Sequence, residues 1–187
     1  MIWESCYWKD DLLRRATSLD KRRSQRRWPA ASLAKLEQEI MLAAYSIRKL
    51  SDAAKFSDAV RDGHVATRTF KRRAERVTFM NWHRIDEHYD LDHPAPSTLA
   101  ARNLCNQLIH SYVFIIEAGP DGLEGFYVTS DRDRHSVLRH VAINDFISLL
   151  RKMGEDYPNE SRITWNDERG DYDVTARTRG PEEEACG

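Results

Sequence analysis

Hydrophobic side chains recur at helical spacing in the first third of the chain. A first helix is predicted over residues 3–25, where large hydrophobic residues follow one another in steps of four. After the break at Pro29, Ser32 is the predicted N-cap of a second amphipathic helix that extends to about residue 54. The hydrophobic positions are Trp3, Tyr7, Trp8 and Leu12 in the first helix and Leu33, Leu36, Ile40, Ala43, Ala44, Ile47 and Leu50 in the second.

After residue 110 the pattern becomes that of strands. "SYVFIIE" and "GFYVTSD" are rich in β-branched and aromatic residues and flank "AGPDGLE", whose Gly-Pro and Asp-Gly pairs predict a hairpin turn. "VLRHVAI" is a predicted third strand, and "NDFISLLRKMG" is a predicted helix that begins near Asn144 or Asp145 and ends at Gly154. "RITWN" and "YDVTART", on either side of "DERGD", predict a second and more exposed hairpin.

The region between these two parts is less regular. Residues 57–80 predict either a strand or an extended arm, because Val65, Thr67 and Thr69 alternate with polar residues. "DLDHPAPST" is a predicted loop, and its Ser97 or Thr98 is positioned to cap a helix that contains "RNLCNQLIH".

The order of these elements predicts an α+β fold, with an N-terminal helical layer followed by a small antiparallel β-sheet with one covering helix. We expect a single domain over residues 1–178, helical in 1–110 and strand-rich in 111–178, and a disordered acidic tail at 179–187.

The composition is that of a globular domain. The 187 residues are 41% hydrophobic and 32% charged, which is enough for one core. No stretch reaches the roughly 18 apolar residues of a membrane helix, and the first residues lack the pattern of a signal peptide. Three widely spaced cysteines, Cys6, Cys105 and Cys186, predict a reducing cytoplasmic location rather than a disulfide framework. Neither GxGxxG nor GxxxxGK[ST] occurs, so no nucleotide cofactor is predicted.

Charge is distributed unevenly along the chain. Residues 1–75 carry 17 Lys and Arg against 10 Asp and Glu, whereas residues 76–187 carry 12 against 20. The basic half predicts contact with RNA or DNA, with an acidic protein partner, or with the acidic half of a second copy in a homodimer, and no membrane partner is predicted. Trp28 and Phe70 are predicted stacking faces. The predicted binding residues are Arg22, Arg23, Arg26, Arg27, Arg72, Arg73, Arg132 and Arg134.

The helix around residue 105 has an unusual polar face. At about 100° per residue, Arg102, Asn106 and His110 form one row on it, with Asn103 and Gln107 beside them. One interpretation is structural: neutral amides suit a buried hydrogen-bond network where the helix meets the next strand. The other is chemical, because a neutral histidine can act as a general base and an arginine can hold a phosphate.

Arg102 and Asn103, followed by His110 on the same helix, resemble the Arg–polar–His motif of HEPN ribonucleases. The resemblance implies metal-independent RNA cleavage of the toxin or phage-defence type, with His110, Arg102 and Asn106 as candidate catalytic residues at a dimer interface. Seven residues separate Arg102 from His110, a longer gap than the family usually has.

Residues 83–93 contain several histidines and carboxylates, but their spacing does not fit a metal site. His83, His88 and His93 are each five residues apart, so on a helix consecutive members are about 140° out of phase. HExxH and paired CxxC motifs are absent, so no metal site is predicted. The sequence therefore leaves two hypotheses: a binding or interaction module that contacts nucleic acid through its basic half, and a HEPN-like ribonuclease.

Overall fold

A computed structural model describes residues 2–73 and 75–178. The acidic tail predicted for 179–187 lies outside these residues. The helices are α1 (Cys6–Arg22), α2 (Ala30–Asp52), α3 (Asp58–Arg61), α4 (Ile85–His88), α5 (Ala101–Ile109) and α6 (Ile143–Glu155). The strands are β1 (His64–Lys71), β2 (Ala95–Ala100), β3 (Ser111–Gly119), β4 (Gly122–Ser130), β5 (Val137–Ala142), β6 (Glu160–Asn166) and β7 (Asp171–Arg177).

The strands form two antiparallel sheets, and the predicted α+β class is confirmed. The main sheet has the order β2-β1-β5-β4-β3, and β6 and β7 form a separate two-stranded sheet. Both predicted hairpins are present, since β3 pairs with β4 and β6 pairs with β7. The predicted third strand is β5, and the predicted helix after it is α6.

Two strands of the main sheet lie in the region predicted to be a helical layer. In β1, Val65 and Thr67 are buried between exposed neighbours, so the alternation indicated a strand and not an arm. The segment predicted as a loop, residues 90–98, is irregular over 90–94, but residues 95–98 belong to the edge strand β2, where a proline such as Pro96 is tolerated because one side of the strand makes no ladder bonds. Ser97 and Thr98 therefore lie within β2, and α5 begins directly after the strand ends.

The helices cover one face of the main sheet. α5 and α6 contact strands directly, α1 packs along α6, and α2 packs along α5. The core at this face is built on ring contacts such as Phe126–Phe146, whose centroids are 5.3 Å apart. The predicted inner face of α1 is partly wrong: Leu12 is buried, but Trp3 is 90% exposed and Tyr7 is 73% exposed.

The opposite face of the sheet is covered only in part. Residues 77–91 cover one end of it and contribute to a second hydrophobic cluster around Phe70, Tyr89 and Leu138. At the other end a row of polar side chains runs across four strands. Arg68 donates to Nδ1 of His140 at 3.1 Å, so the Nε2–H of His140 donates to Glu117 at 2.7 Å. Tyr127 donates to the second oxygen of Glu117 at 3.0 Å.

The histidine in this row is neutral. Burial, the largest cause, lowers the pKa of His140 below its usual 6.5, although Glu117 acts in the opposite direction. A glycine makes room for the ring, because a Cβ at Gly125 would lie 2.7 Å from His140 Nε2. The row therefore reads as a satisfied structural network across the sheet.

Candidate functional site

A polar cavity of about 690 Å³ lies at the end of β4. It opens between one face of α5 and the turn that connects β4 to β5. Its walls come from α2, β2, α5, β4, β5 and the turn between β4 and β5, and most of the lining side chains are polar or charged. The lining residues are Arg48, Leu99, Asn103, Asn106, Gln107, His110, Ser130, Asp131, Arg132, Asp133 and Arg139.

The periodicity of α5 explains how one helix supplies a whole wall. Its lining residues lie at positions i, i+3, i+4 and i+7 from Asn103, which places them on one face. Leu104, Cys105 and Leu108 lie on the opposite face and are buried in the core. Burial raises the pKa of the Cys105 thiol to about 12, so this cysteine stays protonated and is not a nucleophile.

Gln107 fixes the turn that forms the opposite wall. Its side-chain carbonyl accepts from the backbone N–H of Ser130 at 2.9 Å, and its amide donates to Asp133 at 2.8 Å. Arg139 donates to the same carboxylate oxygen of Asp133 at 3.1 Å. The backbone N–H of Asp131 donates to the carbonyl of His110 at 3.1 Å. These bonds hold the turn against the end of α5.

A second network fixes the side of the cavity next to α2. Arg48 donates to the side-chain oxygen of Asn106 and to both oxygens of Asp52, the latter at 3.0 and 3.1 Å. Asp52 also accepts from Arg102, at 3.2 Å. One carboxylate thus holds two guanidinium groups, one inside the cavity and one on the exposed surface beside α5.

Three polar side chains in the cavity are not used by either network. Asn103, His110 and Arg132 are exposed, and their side chains have no hydrogen-bond or ion-pair partner among residues 2–73 and 75–178. They offer an amide, an imidazole and a guanidinium to the same space. Unpaired donors that converge on one cavity are the expected arrangement for binding a polar, negatively charged ligand.

The structure separates the three residues of the predicted catalytic row. His110 and Asn106 line the cavity, but Arg102 is not among the described lining residues and is paired with Asp52. The guanidinium groups that do line the cavity belong to Arg48, Arg132 and Arg139. Arg48 lies in a different helix, and its approach to α5 depends on tertiary packing that the motif on α5 does not encode.

The eight predicted binding arginines fall into two separate groups. The backbone of Arg23 contacts Leu123 at the start of β4, so residues 22–27 lie at that end. Arg132 and Arg134 come after the other end of β4. The two ends of this strand are about 27 Å apart, because eight residue steps of roughly 3.4 Å separate Gly122 from Ser130. Arg72 and Arg73 lie beside the second group.

Several of these arginines are already paired. The ion pairs are Arg22–Glu39, Arg23–Asp20, Arg73–Asp90 and Arg134–Asp131. Arg26, Arg27 and Arg132 are exposed and have no side-chain partner in the part of the chain that the structure describes. Of these three, only Arg132 lines the cavity.

Arg72 contacts the turn that carries Arg132 and Arg134, on the outside of the cavity. Arg72 donates through its backbone to Ser136 and through its side chain to the carbonyl of His135, both at 3.3 Å. Desolvation and then the charges of Arg134, Arg72 and Arg76 lower the pKa of His135. We call Arg72, Arg76, Arg132 and Arg134 the basic rim.

The two predicted stacking faces are not available. Phe70 is only 3% exposed and belongs to the second hydrophobic cluster, so its prediction is wrong. Trp28 is half-buried, packs against the core and donates from its indole to the carbonyl of Gly119 at 3.4 Å.

Within residues 2–73 and 75–178, no three His, Cys, Asp or Glu side chains are grouped as metal ligands. No helix of these residues is long and apolar enough to cross a bilayer. No protein-family model, curated protein or solved structure matches the chain.

Proposed function

We propose that the chain is a cytoplasmic nucleic-acid-binding module that holds a backbone phosphate of RNA or DNA in the cavity. The observation that carries the proposal is the convergence of Asn103, His110 and Arg132, all unpaired, on one polar space. A guanidinium can form two parallel hydrogen bonds to phosphate oxygens, and an amide and an imidazole can satisfy the remaining oxygens.

The acidic residues in the cavity do not oppose this assignment. Asp131 is paired with Arg134 at 3.2 Å, and Asp133 is held by Arg139 and Gln107. Asp52 is shared by Arg48 and Arg102, so this group of three side chains keeps a net charge of about +1. Among the described cavity residues, the guanidinium group without a partner is that of Arg132, and Arg76 of the basic rim adds exposed positive charge beyond the turn.

Arg132→Ala is expected to weaken binding of a single-stranded RNA roughly tenfold, because it removes a charge-assisted phosphate contact. The slope of the logarithm of affinity against the logarithm of salt concentration should fall by about 0.7. Fluorescence anisotropy of a labelled oligonucleotide at several salt concentrations measures both quantities.

The matched control for Arg132 is Arg26→Ala, which removes another exposed guanidinium with no side-chain partner among the described residues, near the other end of β4. Equal losses in the two variants would contradict a site in the cavity. A wild-type interaction that does not respond to salt would instead favour a protein partner, either an acidic protein or a second copy of this chain.

A HEPN-like ribonuclease is the second candidate, and the exposed, unpaired imidazole of His110 supports it. In that reaction, His110 would accept the proton of a 2′-hydroxyl while the 2′-oxygen bonds to the adjacent phosphorus. The bond from phosphorus to the 5′-oxygen then breaks, and the leaving oxygen takes a proton from water, so that the products are a 2′,3′-cyclic phosphate and a 5′-hydroxyl. Arg132 would stabilise the charge on the phosphate, since Arg102 is engaged with Asp52.

If this second candidate is correct, the protein should cleave single-stranded RNA in EDTA, and His110→Ala should lower the rate at least a hundredfold, as expected for loss of a general base. Denaturing gel electrophoresis of the RNA measures the rate. His93→Ala, at a highly exposed histidine outside the cavity lining, is the control. Intact RNA with the wild type, or equal rates in all three proteins, would exclude the ribonuclease and leave the binding proposal in place.

A further inference from the structure

Two adjacent large hydrophobic side chains are exposed on the segment that covers the outer face of the sheet. Phe79 is 80% exposed and Met80 is 79% exposed, although they are adjacent in the chain. Single exposed hydrophobic residues are common on protein surfaces, but an adjacent pair at the tip of an ordered turn is not explained by folding.

The turn that carries this pair is held rigidly. Asn81 accepts from both the backbone N–H and the hydroxyl of Thr78, at 2.6 and 2.9 Å, and donates to the carbonyl of Arg76 at 3.1 Å. The imidazole of the fully buried His88 donates to the carbonyl of Asn81 at 2.9 Å.

The two ends of the turn are anchored in the second hydrophobic cluster. Val77 on one side is buried there, and Trp82 on the other side is partly buried against it. The packing and hydrogen bonds of the flanking residues therefore keep Phe79 and Met80 exposed to solvent. A surface ordered in advance loses little conformational entropy when it binds a partner.

The charge around the turn indicates the chemistry of that partner. Arg76, whose carbonyl receives the bond from Asn81, belongs to the basic rim, and its charge reaches His135. The rim continues over the turn between β4 and β5 to Arg132 in the cavity. Arg73, Arg84 and Arg134 each have an acidic partner, so the positive charge between the hydrophobic pair and the cavity comes chiefly from Arg76 and Arg132.

We propose that Phe79 and Met80 form a stacking platform for the unpaired bases of a single-stranded nucleic acid whose phosphates follow the basic rim. A partner that is both anionic and rich in flat apolar faces fits the two neighbouring surfaces, and unpaired bases on a phosphate backbone have this composition. The inference rests on the proposed nucleic-acid function and adds that the ligand is single-stranded.

The test is the double substitution F79A/M80A, compared with the wild type by anisotropy of a labelled 12-nucleotide single-stranded RNA. Loss of base stacking should weaken binding roughly ten- to a hundredfold. The salt slope should not change, because no charge is removed. An abasic strand of the same length keeps the phosphates without the bases, and both proteins should bind it equally.

The matched control is W3A/Y7A, which removes two exposed aromatic residues at the start of the chain and should not alter affinity. Phe79→Trp should retain tight binding, since the larger ring still stacks. Because all four positions are mainly exposed, circular dichroism should show unchanged folding in every variant.

Each other outcome overturns the inference in a distinct way. If the wild type binds RNA tightly and F79A/M80A binds it equally well, the stacking role is excluded but the proposed nucleic-acid function is not. An equal loss on the abasic strand means that the pair does not act by stacking. Failure of the wild type to bind any RNA removes both proposals. Binding to phosphatidylserine vesicles that is lost in F79A/M80A, without any effect on RNA, assigns the pair to a membrane surface.

Discussion

Gly122→Ala is expected to lower the free energy of unfolding by about 3 kcal/mol or more. Gly122 has φ +123°, a conformation that only glycine adopts readily, and a Cβ there would lie 1.8 Å from the carbonyl oxygen of Arg23. The oxygen belongs to the backbone and the position of the Cβ is fixed by the backbone, so no change of rotamer relieves the clash.

The clash would separate two parts of the fold that contact each other closely. The N–H of Leu123 donates to the carbonyl of Arg23 at 3.1 Å, which joins the turn between β3 and β4 to the end of α1. An alanine side chain would break this contact and expose part of the core. Urea denaturation followed by circular dichroism measures the loss of stability.

Substitutions at two other glycines distinguish the cost of the steric clash from the cost of the positive φ. A Cβ at Gly119, in the same turn, would meet no atom of the described residues within 4 Å, so Gly119→Ala should change stability by less than about 0.5 kcal/mol. Gly170 has φ +61°, and a Cβ there would also meet no atom of the described residues within 4 Å. Gly170→Ala therefore measures the cost of the left-handed backbone conformation alone, about 1 kcal/mol. A cost for Gly122→Ala no larger than for Gly170→Ala would contradict the predicted clash.

Asp156→Ala is expected to destabilise the fold by roughly 3 kcal/mol, because it removes the buried acceptor of Ser57 and Thr178 and also the negative charge that attracts the buried Lys9 ammonium. The buried carboxylate accepts from the backbone and hydroxyl of Ser57, at 2.6 and 2.9 Å, and from Thr178 at 3.2 Å. The ammonium of Lys9, also buried, donates to the backbone carbonyl of Asp156 and is attracted to its carboxylate.

The same measurement on related variants tests this cause. Asp156→Asn keeps an acceptor and should cost less, and adding Lys9→Met to Asp156→Ala should recover part of the loss, because the unpaired charge is then gone. If Lys9→Met and Asp156→Ala instead proved additive, the charge pair would not be the cause.

A pH series adds an independent check on Lys9. Burial lowers the pKa of Lys9 below 10.5, so near and below that value the unfolded chain binds more protons than the folded chain. The free energy of unfolding should therefore rise as the pH increases from the lowered pKa toward 10.5. This contribution should be missing in Lys9→Met.

The elements that the sequence predicts well are those with local signals. The hairpin of β3 and β4 has turn residues at its centre and apolar strands on both sides, and α6 has its own hydrophobic face. β2 was missed because proline and serine indicate a loop unless an edge position is known. That position depends on the partner strand β1, about 30 residues earlier.

In the candidate site, too, features encoded by local sequence were predicted, and those that depend on distant residues were not. The polar face of α5 is encoded by its own periodicity, so Asn106 and His110 were predicted as members of one face. The ion pair of Arg102 joins residues 50 positions apart, and Arg48 reaches Asn106 across 58 positions. Phe70 and Phe79 both occur in basic stretches, and only burial distinguishes the core ring from the exposed one.

The packing of α1 along α6 has a consequence for synthesis on the ribosome. Asp20 and Arg151, which join the two helices at 2.7 Å, are 131 residues apart in the chain. At 5–20 residues per second, α1 emerges roughly 7–26 seconds before its partner. Throughout that interval Leu12, Ala16 and Leu19 have no α6 surface to cover them. The nascent chain is therefore a state in which this apolar face of α1 is exposed to aggregation.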